Sequence, residues 1–236
     1  MRALATIACG VVLGACSFAS PGSAAPSAWL NWGNCSAPFT NLTQTFGGPG
    51  VYHEVVSASD FSGTVTGYVL KLVVQADNLY NFPSSPLPDA WRFDPAGCQA
   101  GHLAITPDHS GCNALAPAGA FSSVSASYVG QQLVISYAVT FPGYVPDPAT
   151  TFVLADVAYD HALSVVGTPP TGCGGVDRQA CFKILQATWL DSYSVAHAIG
   201  FETFTGLEWQ PNVGLGCLGD LPVRGSSWGS LKTLYR

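Results

Sequence analysis

Residues 131–141, QQLVISYAVTF, decide the fold class of this chain. Every second side chain in this stretch is large and apolar, and smaller or polar side chains stand between them. The large apolar residues are Leu133, Ile135, Tyr137, Val139 and Phe141. Successive side chains of a β-strand point to opposite faces, so this period of two predicts a strand with one buried face.

The same alternation recurs along the chain. In residues 64–74, TVTGYVLKLVV, one face carries Tyr68, Leu70, Leu72 and Val74. In residues 151–163, TFVLADVAYDHAL, it groups Val153, Ala155, Val157, Tyr159 and Leu163, and it turns Asp156 and Asp160 to the other face. Three further stretches favour strands, namely VYHEVVS (51–57), CFKILQATWL (181–190) and IGFETFTGLEW (199–209).

Segments rich in proline and glycine separate these strands, such as NFPSSPLPDA (81–90) and VGTPPTGCGG (166–175). Many short strands between turn signals favour a sandwich over a barrel, which is the alternative. The sequence therefore predicts an all-β fold, a single disulfide-stapled β-sandwich. The expected domains are a signal peptide at 1–25, the sandwich at 26–220, and a C-terminal helix or tail at 221–236.

The N-terminus predicts export. Arg2 precedes an apolar stretch that is too short to span a bilayer, and small residues around Ala25 suit cleavage by signal peptidase. A second interpretation is a lipobox, VLGAC, in which Cys16 is lipidated and the protein is an outer-membrane lipoprotein. Secretion to the exterior or the cell surface is the favoured localisation, and no transmembrane helix is expected later in the chain.

The charges are few and unevenly placed. Only 9% of residues are charged. Residues 26–220 contain four basic and all fourteen acidic residues, a net −10, which disfavours nucleic acid as a partner. Residues 221–236 carry a net +3, and their apolar residues recur at helical spacing: Trp228, Leu231, Leu234 and Tyr235. This basic amphipathic end suggests a short helix that docks on the acidic body or acts as a sorting or anchoring signal, and the alternative is a frayed terminus.

Six cysteines follow the export segment, and an even number in an exported protein indicates disulfides. They are Cys35, Cys98, Cys112, Cys173, Cys181 and Cys217. Short spacing favours the pairs Cys98–Cys112 and Cys173–Cys181, and elimination then leaves Cys35–Cys217. No C-x-x-C pair indicates zinc, and no C-x-x-C-H indicates haem attachment.

Two patterns suggest hydrolysis, and neither is complete. Gly225, Ser227 and Gly229 match the G-x-S-x-G of a nucleophile elbow, but no acidic residue or histidine follows Ser227. Glu202 and Glu208 share one aromatic stretch and would lie on the same face if it forms one strand. Paired glycosidase carboxylates face each other across a cleft, so we expect no catalytic residues.

Metal and calcium patterns are also weak. His102, Asp108 and His109 lie within one expected disulfide loop, but their spacing matches no zinc signature. The scattered oxygen donors show no EF-hand spacing: Asp77, Asn78, Asp89, Asp94, Asp147, Asp156 and Asp160. His53, His161 and His197 have no pattern that links them. The sequence predicts no metal site and no cofactor.

The aromatic content raises a carbohydrate-binding alternative. Six tryptophans would suit a sugar-stacking face if they were exposed: Trp29, Trp32, Trp91, Trp189, Trp209 and Trp228. The apolar context of Trp91 and Trp189 instead predicts core positions. Asn34 and Asn41 head N-x-S/T sequons, which matter only in a host that glycosylates them.

Several stretches resemble a group of uncharacterised secreted bacterial proteins with no known function. They are WLNWGNC with its W-x-x-C opening, DAWRFDPAGC followed by SGC, TGCGGVDRQAC, and the ending W-G-x-L-K-x-L-Y-R at 228–236. Members carry another cysteine soon after the opening one, which this chain lacks. The strand order around the central FDP is also similar, at the level of fold, to cohesin-like sandwiches, which implies partner binding.

These observations predict a non-enzymatic, secreted or surface-associated binding or structural module. Its expected partner is a protein or glycan at the cell surface. The alternatives are a carbohydrate-binding module and a secreted hydrolase. The first requires an exposed row of aromatic side chains, and the second requires a cleft with converging acids or a supported Ser227.

Overall fold

The chain folds into two β-sheets packed as a sandwich. A computed structural model describes residues 25–36, 38, 40–76, 85–168, 171–201, 206–211 and 217. The strands in chain order are β1 (Ser27–Trp32), β2 (Thr43–Gln44), β3 (Val51–Ser59), β4 (Val65–Gln75), β5 (Leu103–Thr106), β6 (Phe121–Val129), β7 (Gln132–Tyr144), β8 (Phe152–Asp160), β9 (Ser164–Val165), β10 (Cys173–Gly174), β11 (Ala180–Leu190), β12 (Ala196–Ala198), β13 (Gly200–Phe201) and β14 (Gly206–Trp209).

The first sheet has the strand order β13-β1-β3-β8-β5. The second has the order β2-β14-β11-β4-β7-β6, and β12 pairs with the far end of β11. Within these sheets the pairings are antiparallel except β1 with β13 and β14 with β2. β9 and β10 form a separate two-stranded sheet, and a 3₁₀ turn spans Asp89–Trp91.

The alternation predicted for β7 and β4 is confirmed, because all nine residues of their predicted inner faces are buried. The prediction for β8 needs correction at its two ends. An extra residue, Leu154, is inserted opposite the Val56–Ser57 step, so Leu154 joins the main core cluster and Val153 does not. Leu163 lies beyond the strand and is 45% exposed.

Large aromatic side chains join the two sheets. Trp32 of β1 packs edge-on against Phe182 of β11, with ring centroids 5.0 Å apart. The Tyr68 hydroxyl of β4 donates a 2.6 Å hydrogen bond to the Leu154 carbonyl of β8. Trp91, from the 3₁₀ turn, contacts Phe182 at 5.0 Å and fills one end of the space between the sheets. Aromatic packing of this kind dominates core energetics.

All six predicted disulfide cysteines form bonds, but the pairing expected from spacing is wrong. The observed bonds are Cys35–Cys112, Cys98–Cys173 and Cys181–Cys217. A short interval favours bonding only if the chain turns straight back. Here β5 lies between Cys98 and Cys112, and the interval after Cys173 leads from β10 into β11. Each interval therefore carries the chain away, and each cysteine bonds to a distant segment.

IGFETFTGLEW is not one strand. Its start forms β13 beside β1 in the first sheet, and its end forms β14 beside β11 in the second. The aromatic stretch thus crosses between the sheets.

Several predicted features lie outside the described residues: the signal segment with Cys16, the pair Asp77 and Asn78, Glu202, Ser227, Trp228 and the tail at 221–236. Among the residues that are described, no helix has the length and hydrophobicity needed to cross a bilayer.

Candidate functional site

The sandwich has one long open edge. Four strands end the two main sheets: β13, β5, β2 and β6. β13 and β2 have two residues each and β5 has four, whereas β6 has nine. β6 pairs with β7 on one side, and no described strand pairs with its other side. Its outward N–H and C=O groups form a row that another strand can extend.

β6 arises from a tight hairpin. Gly130 and Gln131 connect it to β7, both with positive φ (55° and 71°), as a two-residue primed turn requires. The sequence FSSVSASYV contains no charge and no proline. Phe121, Val124 and Val129 are 73%, 48% and 59% exposed. Exposed edge strands usually carry charges, prolines or bulges that prevent pairing, and β6 has none of these.

A second feature lies on the outer face of the first sheet, where two histidines meet one carboxylate. His53 Nδ1 of β3 lies 2.8 Å and 3.0 Å from the two Asp156 oxygens of β8. His109 Nδ1, from the loop after β5, lies 2.7 Å from Asp156 Oδ2. Asp156 is nearly buried, and the His53 side chain is 39% exposed. We call these three residues the histidine–aspartate cluster.

The register of β3 and β8 explains how this cluster assembles. Asp156 stands opposite Val55, so His53 lies diagonally across from it on the same face. The loop at 107–112 leaves β5 and returns to the same sheet edge at Ala114, which bridges Val153. The Cys35–Cys112 disulfide ties this loop to the segment after β1.

Gly33 links both histidines. Its N–H donates to the His53 carbonyl at 2.8 Å, and its carbonyl lies 3.3 Å from His109 Nε2. Gly33 has φ +64°, a conformation that favours glycine. The cluster therefore rests on three segments that are joined by backbone and disulfide bonds.

The inner face of the same strands carries a buried carboxyl. The Tyr159 hydroxyl of β8 donates a 2.5 Å hydrogen bond to Glu54 Oε2 of β3. Within the part of the chain that the structure describes, Glu54 Oε1 has no hydrogen-bond partner. Burial raises the pKa of Glu54 to about 7, against the lowering effect of the Tyr159 bond.

His161 follows β8 inside an aromatic cage. Its ring lies 4.5 Å from Trp91 and 5.3 Å from Trp209. Its Nδ1 lies 2.7 Å from Ser164 Oγ, which accepts from Gln99. Burial lowers the pKa of His161 to about 4, with Asp160 acting in the opposite direction. A neutral imidazole belongs to this core.

The structure disperses the other residues that were weighed as metal ligands. Asp94 pairs with Arg92 at 2.8 Å, and Asp160 pairs with His102 at 3.0 Å. Asp147 caps its own turn by accepting from Ala149 N. Of the group His102, Asp108 and His109, only His109 reaches the histidine–aspartate cluster.

The aromatic and acidic candidates prove mainly structural. The five described tryptophans are at most 6% exposed, so the core interpretation of Trp91 and Trp189 is confirmed. Glu208 accepts a 2.6 Å hydrogen bond from Gln179 and a 3.2 Å bond from the Cys217 N–H. Both bonds hold it beside the Cys181–Cys217 disulfide rather than facing a cleft.

Sequence reasoning missed His53 and Asp156 as a pair. The alternation of side chains along each strand was the available signal. It places Asp156 on the outer face, and it places His53 on the face opposite to that of its neighbour Glu54. That signal needs the additional knowledge that β3 and β8 are neighbours. The pairing of strands 103 residues apart is not written in either segment alone.

No family model matches the chain, and no curated protein matches it. Several solved structures align over most of it, with low scores. The cohesin module of a Clostridium perfringens family 33 glycoside hydrolase shares 8% identity, covering 78% of this chain and 93% of that one, with a TM-score of 0.37. A type II cohesin domain from the cellulosome of Acetivibrio cellulolyticus shares 9% identity over 79% and 95%, with a TM-score of 0.38. Similarity this low supports no statement about function.

Proposed function

We propose that this protein is a secreted or surface-associated, non-catalytic β-sandwich that assembles with a second copy of itself through the open edge of β6. One observation carries the proposal: the nine-residue edge strand β6 contains no charge and no proline, and no described strand pairs with its outer side. Such an edge is a template for strand addition.

The sequence of β6 fits an antiparallel copy of itself. A two-fold axis at Ser125 pairs all nine residues. Phe121 then stands opposite Val129 of the other copy, and Ser123 stands opposite Ser127. Both apolar ends find apolar partners, and the centre is serine against serine. A two-fold interface requires this self-complementarity, and cross-strand apolar pairs each stabilise by about 0.2–1 kcal/mol.

Charge also favours this edge. Residues 26–220 carry a net −10, so most approaches of two copies bring acidic groups together. β6 carries no charge, and its exposed Phe121 and Val129 gain from leaving water. The shorter terminal strands provide two to four residues of edge each, which is little backbone to pair.

The rival functions find less support among the described residues. A sugar-binding face needs exposed aromatic side chains in a row, and five tryptophans are buried. A hydrolase needs converging catalytic groups, and Glu208 is held by Gln179 and Cys217. Ser227 lies outside the described residues.

The test is the association state of the exported chain, measured by sedimentation velocity over a concentration series. We expect a reversible dimer. Ser125→Lys places two like charges opposite each other at the two-fold axis and should yield a monomer. Ser125→Glu should do the same. An equimolar mixture of the two variants should dimerise again, because Lys then faces Glu.

Thr140→Lys is the matched control. Thr140 is exposed on the neighbouring strand β7, opposite Phe121, so this variant adds the same charge one strand away from the edge. It should dimerise as the wild type does. A monomeric wild type, or a dimer that Ser125→Lys leaves intact, would rule out this assembly.

A further inference from the structure

We infer that His53, His109 and Asp156 form a binding site for one divalent transition-metal ion of the zinc class, with solvent completing the coordination. The inference is independent of the assembly through β6. It rests on three observations: the distances between the ligand atoms, the acceptors that face both ring nitrogens of His109, and the disulfide that restrains the loop.

The ligand atoms are close enough for a single ion. All three residues place one donor atom within 4.8 Å of the others. The shortest distance from a ring nitrogen to an Asp156 carboxylate oxygen is 2.8 Å for His53 Nδ1 and 2.7 Å for His109 Nδ1. Zinc bonds of about 2.0 Å in a tetrahedron separate neighbouring ligands by about 3.3 Å, so a small outward movement of the rings admits the ion.

The partners of His109 point to a cation. A neutral imidazole has one N–H donor and one lone-pair acceptor. Here both ring nitrogens face acceptors: Nδ1 faces the Asp156 carboxylate, and Nε2 faces the Gly33 carbonyl. With Nε2–H bonded to Gly33, the lone pair of Nδ1 points at a carboxylate. A protonated ring satisfies both acceptors, and a metal ion between Nδ1 and Asp156 satisfies them while the ring stays neutral.

This arrangement is also how metal-binding histidines are usually oriented. Their second nitrogen typically donates to a backbone carbonyl or a carboxylate, which sets the tautomer. Gly33 provides that carbonyl for His109. The Cys35–Cys112 disulfide restrains the loop on one side, and β3 and β8 are hydrogen-bonded neighbours on the other. The donors are therefore held before any ion binds.

The ligand types select the class of ion. Two imidazoles with one carboxylate suit zinc, copper or nickel, whereas calcium and magnesium prefer all-oxygen sites. Three protein ligands leave a position open, and the 39% exposure of His53 gives solvent access to it.

Two other histidine–aspartate pairs show what the cluster adds. His102 lies 3.0 Å from Asp160, and His197 lies 2.8 Å from Asp191. Each pair has one histidine and one carboxylate, too few donors for a specific site. These two pairs serve as controls for the metal-binding experiment, because each contains a histidine and an aspartate but no third ligand among the described residues.

The experiment uses the exported chain without a histidine tag, stripped with a chelator and titrated with Zn²⁺ against a competing chromophoric chelator. We expect one equivalent to bind tightly and the melting temperature to rise until that equivalent is filled. His109→Asn and Asp156→Asn should each weaken affinity roughly 100-fold or more, since even outer-shell changes reduce affinity 10–100-fold. The control His102→Asn should bind as the wild type does.

Cobalt provides a second measurement that is insensitive to loss of stability. Co²⁺ in the wild type should give the intense visible bands of a four-coordinate ion. These bands should vanish in His53→Gln, which removes one ligand at a side chain that is 39% exposed. Absence of one-equivalent Zn²⁺ binding would overturn the site. So would equal loss of binding in the His102→Asn control, or weak cobalt bands typical of a surface-adsorbed, six-coordinate ion.

Discussion

The two faces of the β3–β8 pair place similar groups in opposite surroundings. On the inner face, Glu54 accepts a hydrogen bond from Tyr159, and both side chains are buried. On the outer face, Asp156 meets His53 and His109, whose rings reach solvent. Residues 53 and 54 are neighbours in sequence and point into different environments.

The difference shows how burial and partners decide the state of a carboxyl group. Glu54 has one hydroxyl partner and no nearby cation among its hydrogen-bond contacts, so burial raises its pKa to about 7. Asp156 has two imidazole partners, which suit an ionised carboxylate or a shared metal ion. The inner face therefore favours the neutral form of Glu54, and the outer face gives Asp156 two imidazole partners.

The largest expected effect on stability comes from removing the disulfide that holds the loop on the outer face. The double variant Cys35→Ser, Cys112→Ser opens a link between residues 77 positions apart. We expect a loss of about 4 kcal/mol in unfolding free energy, from the greater entropy of the unfolded chain. Urea denaturation measures it. Opening Cys181–Cys217, 36 positions apart, should cost a few tenths of a kcal/mol less on the same argument. A loss below about 1 kcal/mol would contradict this unfolded-chain argument.

The next effect concerns the inner carboxyl and its pH dependence. The folded pKa of Glu54, about 7, lies above the unfolded value of 4.5, so stability is lost as the pH rises between them. Glu54→Gln removes this loss. Relative to the wild type, the variant should gain about 3 kcal/mol between pH 4 and pH 8. Urea denaturation across that range measures it, and an unchanged pH profile would contradict a buried, proton-binding Glu54.

His161 should show the opposite slope. Its folded pKa of about 4 lies below the unfolded 6.5, so stability present above pH 6.5 is lost as the pH falls. His161→Gln should abolish that loss, again by about 3 kcal/mol at most. The decline toward high pH through Glu54 should remain in this variant. The same urea series tests this. If His161→Gln and Glu54→Gln alter the profile in the same direction, the assignment is wrong.

The smallest effect is expected at the outer carboxylate in metal-free protein. Asp156→Asn keeps an acceptor for His53 and His109 and removes the charge, so we expect a loss of about 1 kcal/mol. Asp160→Asn, at the more exposed His102 pair, should lose less. Thermal unfolding in the presence of a chelator compares the two. If Asp160→Asn lowered stability more than Asp156→Asn does, the histidine–aspartate cluster would contribute less than the exposed His102–Asp160 pair, contrary to this prediction.

Local features of this protein could be predicted from its amino-acid sequence. Alternation in 131–141 and 64–74 predicted β7 and β4 and their buried faces, because the side-chain period of a strand is a local property. The apolar context of Trp91 and Trp189 predicted their burial. Six cysteines in an export context predicted disulfides, because that argument needs only their number and compartment.

The tertiary structure decided every feature that depends on which segments are neighbours. The closely spaced pairs Cys98/Cys112 and Cys173/Cys181 do not bond, because β5 lies within the first interval and the second leads from β10 into β11. His53, His109 and Asp156 meet only through the β3–β8 register and the loop tied by Cys35–Cys112. The outer edge of β6, which no described strand pairs, follows from its terminal place in the sheet. Strand order and register result from the summed packing of the whole core, and no short segment contains that sum.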